Sequence, residues 1–137
     1  MLRKAQRVGG EFSEPYWRRL TDIVDRAGLR TEEIHATNVL QGIKSGPAAG
    51  AMPATRTYVD QCLAYLNEQV RIIGPRLLVT LGETSTSLCR TMRRDYRPGV
   101  PIVGIMHPST RPLNWGGPYE SWVQRQAATI REALDCH

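Results

Sequence analysis

The sequence predicts an α/β fold: a three-layer arrangement in which an open parallel sheet carries helices on both of its faces. Segments with helical spacing alternate with short apolar runs along the chain, the order expected of such a sheet. The runs at 77–81 and 102–106 are almost continuously apolar, as strands buried on both faces are. A chain of 137 residues has room for one core, so we expect a single domain over residues 1–137.

Capping residues and glycines predict where the first two helices begin and end. Ser13 is expected to cap a helix that ends at Gly28, and Thr57 a helix that ends at Gly74. Between them, residues 41–54 are rich in Gly, Ala and Pro and show no periodicity. They predict a long loop, and long loops in compact domains tend to be functional or mobile.

The rest of the chain predicts three strands and two more helices. The strands are expected at 34–40, 77–81 and 102–106, and the helices at about 83–92 and 118–134. The resulting order alternates helix and strand throughout, which indicates parallel strands joined by helical connections.

Composition and charge narrow the classes of partner. Lys and Arg outnumber Asp and Glu by 18 to 13, a formal net charge of +5, which favours a polyanionic partner without proving one. The three cysteines, Cys62, Cys89 and Cys136, are too few and too scattered for a disulfide framework or a zinc site. No apolar run reaches the length of a membrane span, and the first residues lead into no signal-peptide core. We therefore expect no membrane partner and a cytoplasmic location.

A histidine directly follows the third predicted strand. Pro108 ends that strand and favours an extended backbone at His107, which places the imidazole at the rim of the sheet. Open α/β sheets bind their ligands at the carboxyl ends of parallel strands. His107 is therefore the first candidate functional residue. A purely structural histidine at a strand end is the alternative, and the pattern leaves both open.

Seven short motifs form an ordered set along the chain. They are GGEF at 9–12, Pro15, AGL at 27–29, TNV at 37–39, CLAYL at 62–66, GPRLLVTLG at 74–82 and HPS at 107–109. None is specific alone, but their order and spacing resemble the uracil-DNA glycosylase superfamily, especially its bacterial and archaeal iron–sulfur branch. The resemblance covers about residues 9–133 and implies the fold of that family and action on DNA that contains uracil or a damaged base.

The resemblance also implies a pocket for a base flipped out of DNA. Phe12 falls where the family places its stacking ring, and Asn38 where an asparagine reads the uracil amide, so both are expected to bind substrate. His107 matches the catalytic histidine, which donates a hydrogen bond to the uracil oxygen as the base departs. A core phenylalanine and an asparagine bonded to its local backbone are the alternatives that stay open.

The segment after His107 lies where the family contacts DNA. The resemblance makes Ser109 a phosphate contact or a brace of the loop, Arg111 a phosphate contact, and Leu113 a wedge that enters the base stack. A solvated arginine and a leucine packed under its own loop are the alternatives.

The cysteines depart from the family pattern. The iron–sulfur branch uses four cysteines, and only Cys62 of this chain matches one of them. Gly42 stands where the neighbouring cysteine in the family's sequence would be, and the other two would lie before Met1. We therefore expect no cluster, no metal and no other cofactor.

A second departure concerns the first motif of the family, a strand and a loop that handle the attacking water. Residues 1–8 contain neither, so the domain is expected to be N-terminally incomplete, without its first strand. Three arrangements could satisfy the backbone groups left by the missing strand. The outer strand could pair across the gap, or a partner chain or second copy could donate a strand. We favour the third, in which residues upstream of Met1 supply the strand.

The expected function is that of a uracil-DNA glycosylase-like protein in base excision repair, a hydrolase of the N-glycosidic bond if the first motif is supplied. The alternatives are a catalytically inactive DNA- or base-binding protein of the same fold, or an interaction module.

Overall fold

The computed structural model describes residues 14–39, 55–96 and 98–136, which form four helices and two strands. The helices are α1 (Glu14–Arg26), α2 (Arg56–Ile73), α3 (Glu83–Tyr96) and α4 (Tyr119–Cys136), and the strands are β1 (Leu78–Leu81) and β2 (Ile102–Ile105). Short 3₁₀ turns occur at Thr31–Glu33 and Pro112–Asn114. None of the described helices is both long and apolar enough to cross a membrane.

The two strands form a parallel pair with a defined register. Leu78 lies opposite Ile102 and Leu81 opposite Ile105. The connection between them runs through α3, since parallel neighbours need a crossover rather than a tight hairpin. The N–H of Gly82 donates to the carbonyl of Ile105 over 2.9 Å, so the carboxyl ends of both strands lie side by side.

Helices cover both faces of this pair, which confirms the predicted α/β class. One apolar cluster joins α1 and α4 to the sheet and comprises Ile23, Ala27, Ile105, Trp122, Val123, Ala127 and Ile130. The other joins α2 and α3 to the opposite face and comprises Leu63, Leu66, Val70, Cys89, Met92 and Val100. Successive strand side chains alternate between these clusters: Leu78 packs against the second and Val79 against the first. Burying each large apolar side chain contributes about 1.5–3 kcal/mol.

The helix ends agree with the sequence in most places. Gly74 ends α2 in the left-handed conformation at φ 62°, and its N–H donates to Val70 O over 2.8 Å. The cap of α2 was predicted at the wrong threonine, because Thr57 lies inside the helix. Thr55 is the N-cap, and its hydroxyl accepts the N–H of Tyr58 over 3.1 Å. The expected cap of α1, Ser13, lies outside the described residues.

The strand predicted at 34–40 is wrong: residues 34–39 form no strand, and the sheet within the described residues contains β1 and β2 alone. A strand needs a neighbour to satisfy its backbone groups, and no described strand lies beside this segment. Its apolar residues are used for packing instead, Ile34 against α1 and Val39 against the α2–α3 cluster. The predicted absence of the first strand, and the loop at 41–54, fall on residues outside the described ranges.

Candidate functional site at the end of β2

His107 lies two residues beyond β2, at the carboxyl end of the strand pair. The chain turns immediately after it, because Pro108 cannot continue a strand and is fully buried. The turn closes on the carbonyl oxygen of His107, which accepts the N–H of Thr110 over 2.9 Å and the hydroxyl of Thr110 over 2.6 Å. The half-buried imidazole is therefore carried by a closed turn at the rim of the sheet.

One backbone hydrogen bond sets the tautomer of this histidine. The N–H of Ser109 donates to Nδ1 of His107 over 3.0 Å. An imidazole nitrogen that accepts a hydrogen bond carries no proton, so the neutral ring is protonated at Nε2. Burial lowers the pKa of His107 below its ordinary value. At neutral pH the side chain is therefore a neutral imidazole whose donor is Nε2–H.

Gly82, the turn residue after β1, lies against His107. Its φ is +88°, a region that favours glycine, and a Cβ built on it would lie 3.4 Å from Cβ of His107. Glycine at this position thus permits the turn into α3, and a side chain there would be in van der Waals contact with His107.

The amino-terminal half of α1 packs against the turn from the other side. The ring of Tyr16 meets that of His107 edge-on, with centroids 6.5 Å apart and an interplanar angle of 82°. Arg19 donates from Nη1 to Pro108 O over 2.8 Å and to Thr110 O over 3.4 Å. Sequence reasoning did not single out Tyr16 or Arg19. Their i, i+3 spacing, which places both on one side of α1, is the signal that could have found them.

An aromatic cluster ties the same loop to α4. Nε1 of Trp115 donates to Thr110 O over 3.0 Å. The Trp115 ring stacks on Trp122 with centroids 5.4 Å apart, and lies 5.2 Å from that of Tyr119. Since Trp122 is fully buried, the loop is anchored in the core of the α1–α4 layer.

The predicted DNA contacts follow His107 on this loop and are all exposed. Ser109 braces the turn through its backbone N–H. Arg111 precedes the 3₁₀ turn, and within the described residues its guanidinium has neither an ion pair nor a hydrogen bond. Leu113 is 77% exposed, so the alternative of a leucine packed under its own loop is wrong.

The two predicted substrate-binding residues belong to other segments of the chain. Phe12 lies outside the described residues. Asn38 is half-buried in the segment beside α2, where the hydroxyl of the preceding Thr37 donates to Oε1 of Gln69 over 3.3 Å. The structure thus brings His107, Ser109, Arg111 and Leu113 onto one loop, and the convergence of Phe12 and Asn38 with His107 on a single base stays a prediction.

The three cysteines differ in their burial. Cys62 and Cys89 are buried on α2 and α3, whereas Cys136 is exposed at the end of α4. Burial raises the pKa of Cys89 to about 11, which keeps this thiol protonated and a poor metal ligand. In the ranges that the structure covers, no three His, Cys, Asp or Glu side chains are grouped to hold a metal. The expectation of no cluster and no cofactor stays a prediction.

A cleft of about 490 Å³ lies between α3, β2 and α4, beside the histidine. Gly82 and Met106, which adjoin His107, are among its lining residues, and His107 itself is not. Gln126 also lines the cleft and accepts the N–H of Met106 at Oε1 over 2.9 Å, which satisfies the backbone N–H of the residue just after β2. The cleft is therefore adjacent to the histidine rather than centred on it.

Comparison with known proteins agrees with these observations. The family model described as "Uracil DNA glycosylase superfamily" matches residues 2–131. The Type-4 uracil-DNA glycosylase of Pyrobaculum aerophilum is 36% identical to this chain over 63 residues, a stretch that spans 46% of this chain and 30% of the relative. The match to the family model covers nearly the whole sequence and confirms the resemblance seen in the motifs. The chain belongs to the uracil-DNA glycosylase superfamily.

Proposed function

We propose that this chain recognises uracil or a damaged base flipped out of DNA, with His107 as the residue that hydrogen-bonds the base. The observation that carries the proposal is the hydrogen bond from the N–H of Ser109 to Nδ1 of His107. It leaves Nε2–H as the donor of a neutral ring at the end of a parallel strand, where ligands of α/β sheets bind. A base carbonyl oxygen is a matching acceptor.

This donor suits hydrolysis of the N-glycosidic bond. When the bond between deoxyribose and uracil breaks, its electron pair leaves with the base and negative charge develops on the base oxygen. A neutral Nε2–H can stabilise that charge without giving up its proton, and the lowered pKa of His107 keeps the ring neutral. One preorganised donor is worth on the order of 3 kcal/mol of barrier, by analogy with oxyanion holes.

The exposed loop after His107 would hold the DNA. Arg111 carries a guanidinium without a partner among the described residues, which suits a backbone phosphate. Leu113 is an exposed apolar side chain, which suits a wedge in a base stack. Phe12 and Asn38 are proposed to stack on the base and to read its amide edge, and Ser109 to brace the loop.

A binding protein without catalysis is the second candidate function. Burial is the cause of the lowered pKa of His107, and no described carboxylate contributes to it. Hydrolysis also needs a group that positions or activates water. The resemblance places that group in a first motif that residues 1–8 do not contain. Recognition of a base requires only the donor and the DNA contacts.

Incubation with a single-stranded oligonucleotide that contains one deoxyuridine separates the two functions. Treatment with alkali reveals abasic sites, and fluorescence anisotropy at several salt concentrations measures binding. Cleavage by the wild type and its loss in His107→Gln support the glycosylase; salt-sensitive binding without cleavage supports the binding protein. Absence of both, in a sample that unfolds cooperatively on heating, would contradict both.

A further inference from the structure

We propose that Arg19 is a positioning residue for His107: it holds the turn that presents the imidazole and so maintains its tautomer. Arg19 stands on α1, yet two of its hydrogen-bond acceptors, the carbonyls of Pro108 and Thr110, are 89 and 91 positions away in sequence. Its effect on the imidazole is independent of DNA, and its effect on base recognition rests on the proposed function.

The two carbonyls that Arg19 contacts flank the residue that sets the tautomer. Nη1 lies 2.8 Å from Pro108 O and 3.4 Å from Thr110 O, and Ser109, whose N–H bonds Nδ1 of His107, lies between them. Fixing both peptide groups fixes the direction of the Ser109 N–H. The guanidinium therefore acts on His107 through the backbone, without touching the imidazole ring.

The surroundings of Arg19 require an arginine in particular. Its guanidinium carbon lies 5.2 Å from the centroid of Trp115 and 5.6 Å from that of Tyr16, so it is held against two ring faces while it donates to the carbonyls. A planar guanidinium can stack and donate within its plane at once, whereas a lysine ammonium is a point charge without a face. Within the described residues Arg19 has no carboxylate partner, so the contacts that account for its position are these carbonyls and rings.

These contacts link three parts of the fold at the histidine. Tyr16 packs edge-on against the His107 ring, and Trp115 donates to Thr110 O, the oxygen that Arg19 also contacts. Removing the guanidinium would leave Pro108 O without this donor and would open the space between Tyr16 and Trp115. The turn could then rotate, and the Ser109 hydrogen bond to Nδ1 would lose its geometry.

The test follows the imidazole nitrogens of His107 by ¹⁵N–¹H correlation spectra across a pH titration. The samples are the wild type, Arg19→Gln, Arg19→Lys and Arg18→Gln, and His107→Gln assigns the signals. Arg18 is the matched control because it is the exposed neighbour of Arg19 on the same helix and its change removes the same charge. His35 serves as an internal reference.

In the wild type we expect a single neutral tautomer with the proton on Nε2 and a pKa below about 6.5. Arg19→Gln should mix the two tautomers and raise the pKa toward that value, Arg19→Lys should do so in part, and Arg18→Gln should match the wild type. A lowered melting temperature with unchanged His107 signals would show that Arg19 is only structural and would overturn the proposal, as would equal changes in Arg18→Gln. If Arg19→Gln fails to fold, Arg19→Lys decides by the same criteria.

The functional arm uses the deoxyuridine oligonucleotide. Arg19→Gln should bind it about tenfold more weakly, because a charged hydrogen bond that orders the site is lost, with no change in the salt dependence of binding. A reduced salt slope would mean that Arg19 contacts phosphate directly, which contradicts a role exerted through His107. If the wild type binds no DNA, the proposed function fails, while the imidazole spectra still decide the role of Arg19.

Discussion

The backbone N–H of Ser109 lies 3.0 Å from Nδ1 of His107, and this hydrogen bond determines what the histidine can do. It makes Nδ1 an acceptor and Nε2 the donor, so the local turn, rather than a neighbouring carboxylate, selects the tautomer. Protonation of Nδ1 would place its hydrogen against that of Ser109. The HPS sequence at 107–109 thus encodes a chemical state of the imidazole as well as a turn.

This relationship predicts how stability depends on pH. The pKa of His107 is lowered in the folded state by burial, so between that value and about 6.5 the unfolded chain binds more protons than the folded one. The stabilisation from a neutral His107 is complete above this window and is lost as the pH falls through it. Urea unfolding from about pH 7.5 to 5.5 should show the free energy of unfolding falling more steeply in the wild type than in His107→Gln. Parallel profiles would contradict the buried, neutral state.

Gly82→Ala should impair the histidine as well as the turn. The alanine would have to adopt a left-handed backbone conformation, which lowers the free energy of unfolding by about 1 kcal/mol. Its Cβ would also lie 3.4 Å from Cβ of His107. Gly74→Ala is the matched control, since its φ is +62° and no atom lies within 4 Å of the added Cβ. Both variants should lose similar stability by chemical denaturation, but Gly82→Ala alone should weaken binding of deoxyuridine DNA. Equal binding by the two variants would rule out the contact.

Gly104→Ala should destabilise the packing of β2 against α3. The added Cβ would lie 2.6 Å from Oγ1 of Thr86 and 3.2 Å from Oγ1 of Thr80. These two hydroxyls bond each other over 2.6 Å, so neither can move freely, and the overpacking should cost about 1–3 kcal/mol. In the double variant with Thr86→Ala the two effects should be less than additive in the free energy of unfolding. Strict additivity would show that the close approach is not the cause.

Arg111→Ala should reduce the salt dependence of DNA binding. One phosphate contact contributes about 0.9 to the slope of log K against log salt, so the slope should fall by about one. Arg76→Ala removes the same charge just before β1, at the amino end of the sheet, and should leave the slope unchanged. An unchanged slope in Arg111→Ala would remove this residue from the DNA contacts.

Local patterns in the sequence predict most of the fold, because helix ends and buried strands depend mainly on residues close together in the chain. The apolar runs at 77–81 and 102–106 mark strands buried on both faces, and Gly74 marks a helix end that a left-handed residue must form. Thr55 and Thr57 both satisfy the capping pattern, and only the hydrogen bond to Tyr58 distinguishes them. Segment 34–39 has strand composition, but a strand depends on a neighbour that composition does not specify.

The site is only partly predictable for a related reason. His107 is visible because Pro108 ends the strand at that point, a local signal. The role of Arg19 cannot be predicted in this way, because its acceptor Pro108 O is 89 positions away and leaves no pattern in the sequence near Arg19. The tautomer of His107 likewise depends on the direction of one N–H group, which only the folded turn defines.

Recognition of the base by His107 is tested most directly by following its Nε2–H signal during titration with the deoxyuridine oligonucleotide. We expect this proton to move downfield and its shift to saturate with binding, because Nε2 donates to the base oxygen. The same oligonucleotide with an abasic-site analogue in place of the deoxyuridine should leave the signal in position, although it still binds through the phosphates. If both oligonucleotides bind by anisotropy and the Nε2–H signal responds to neither, His107 does not recognise the base.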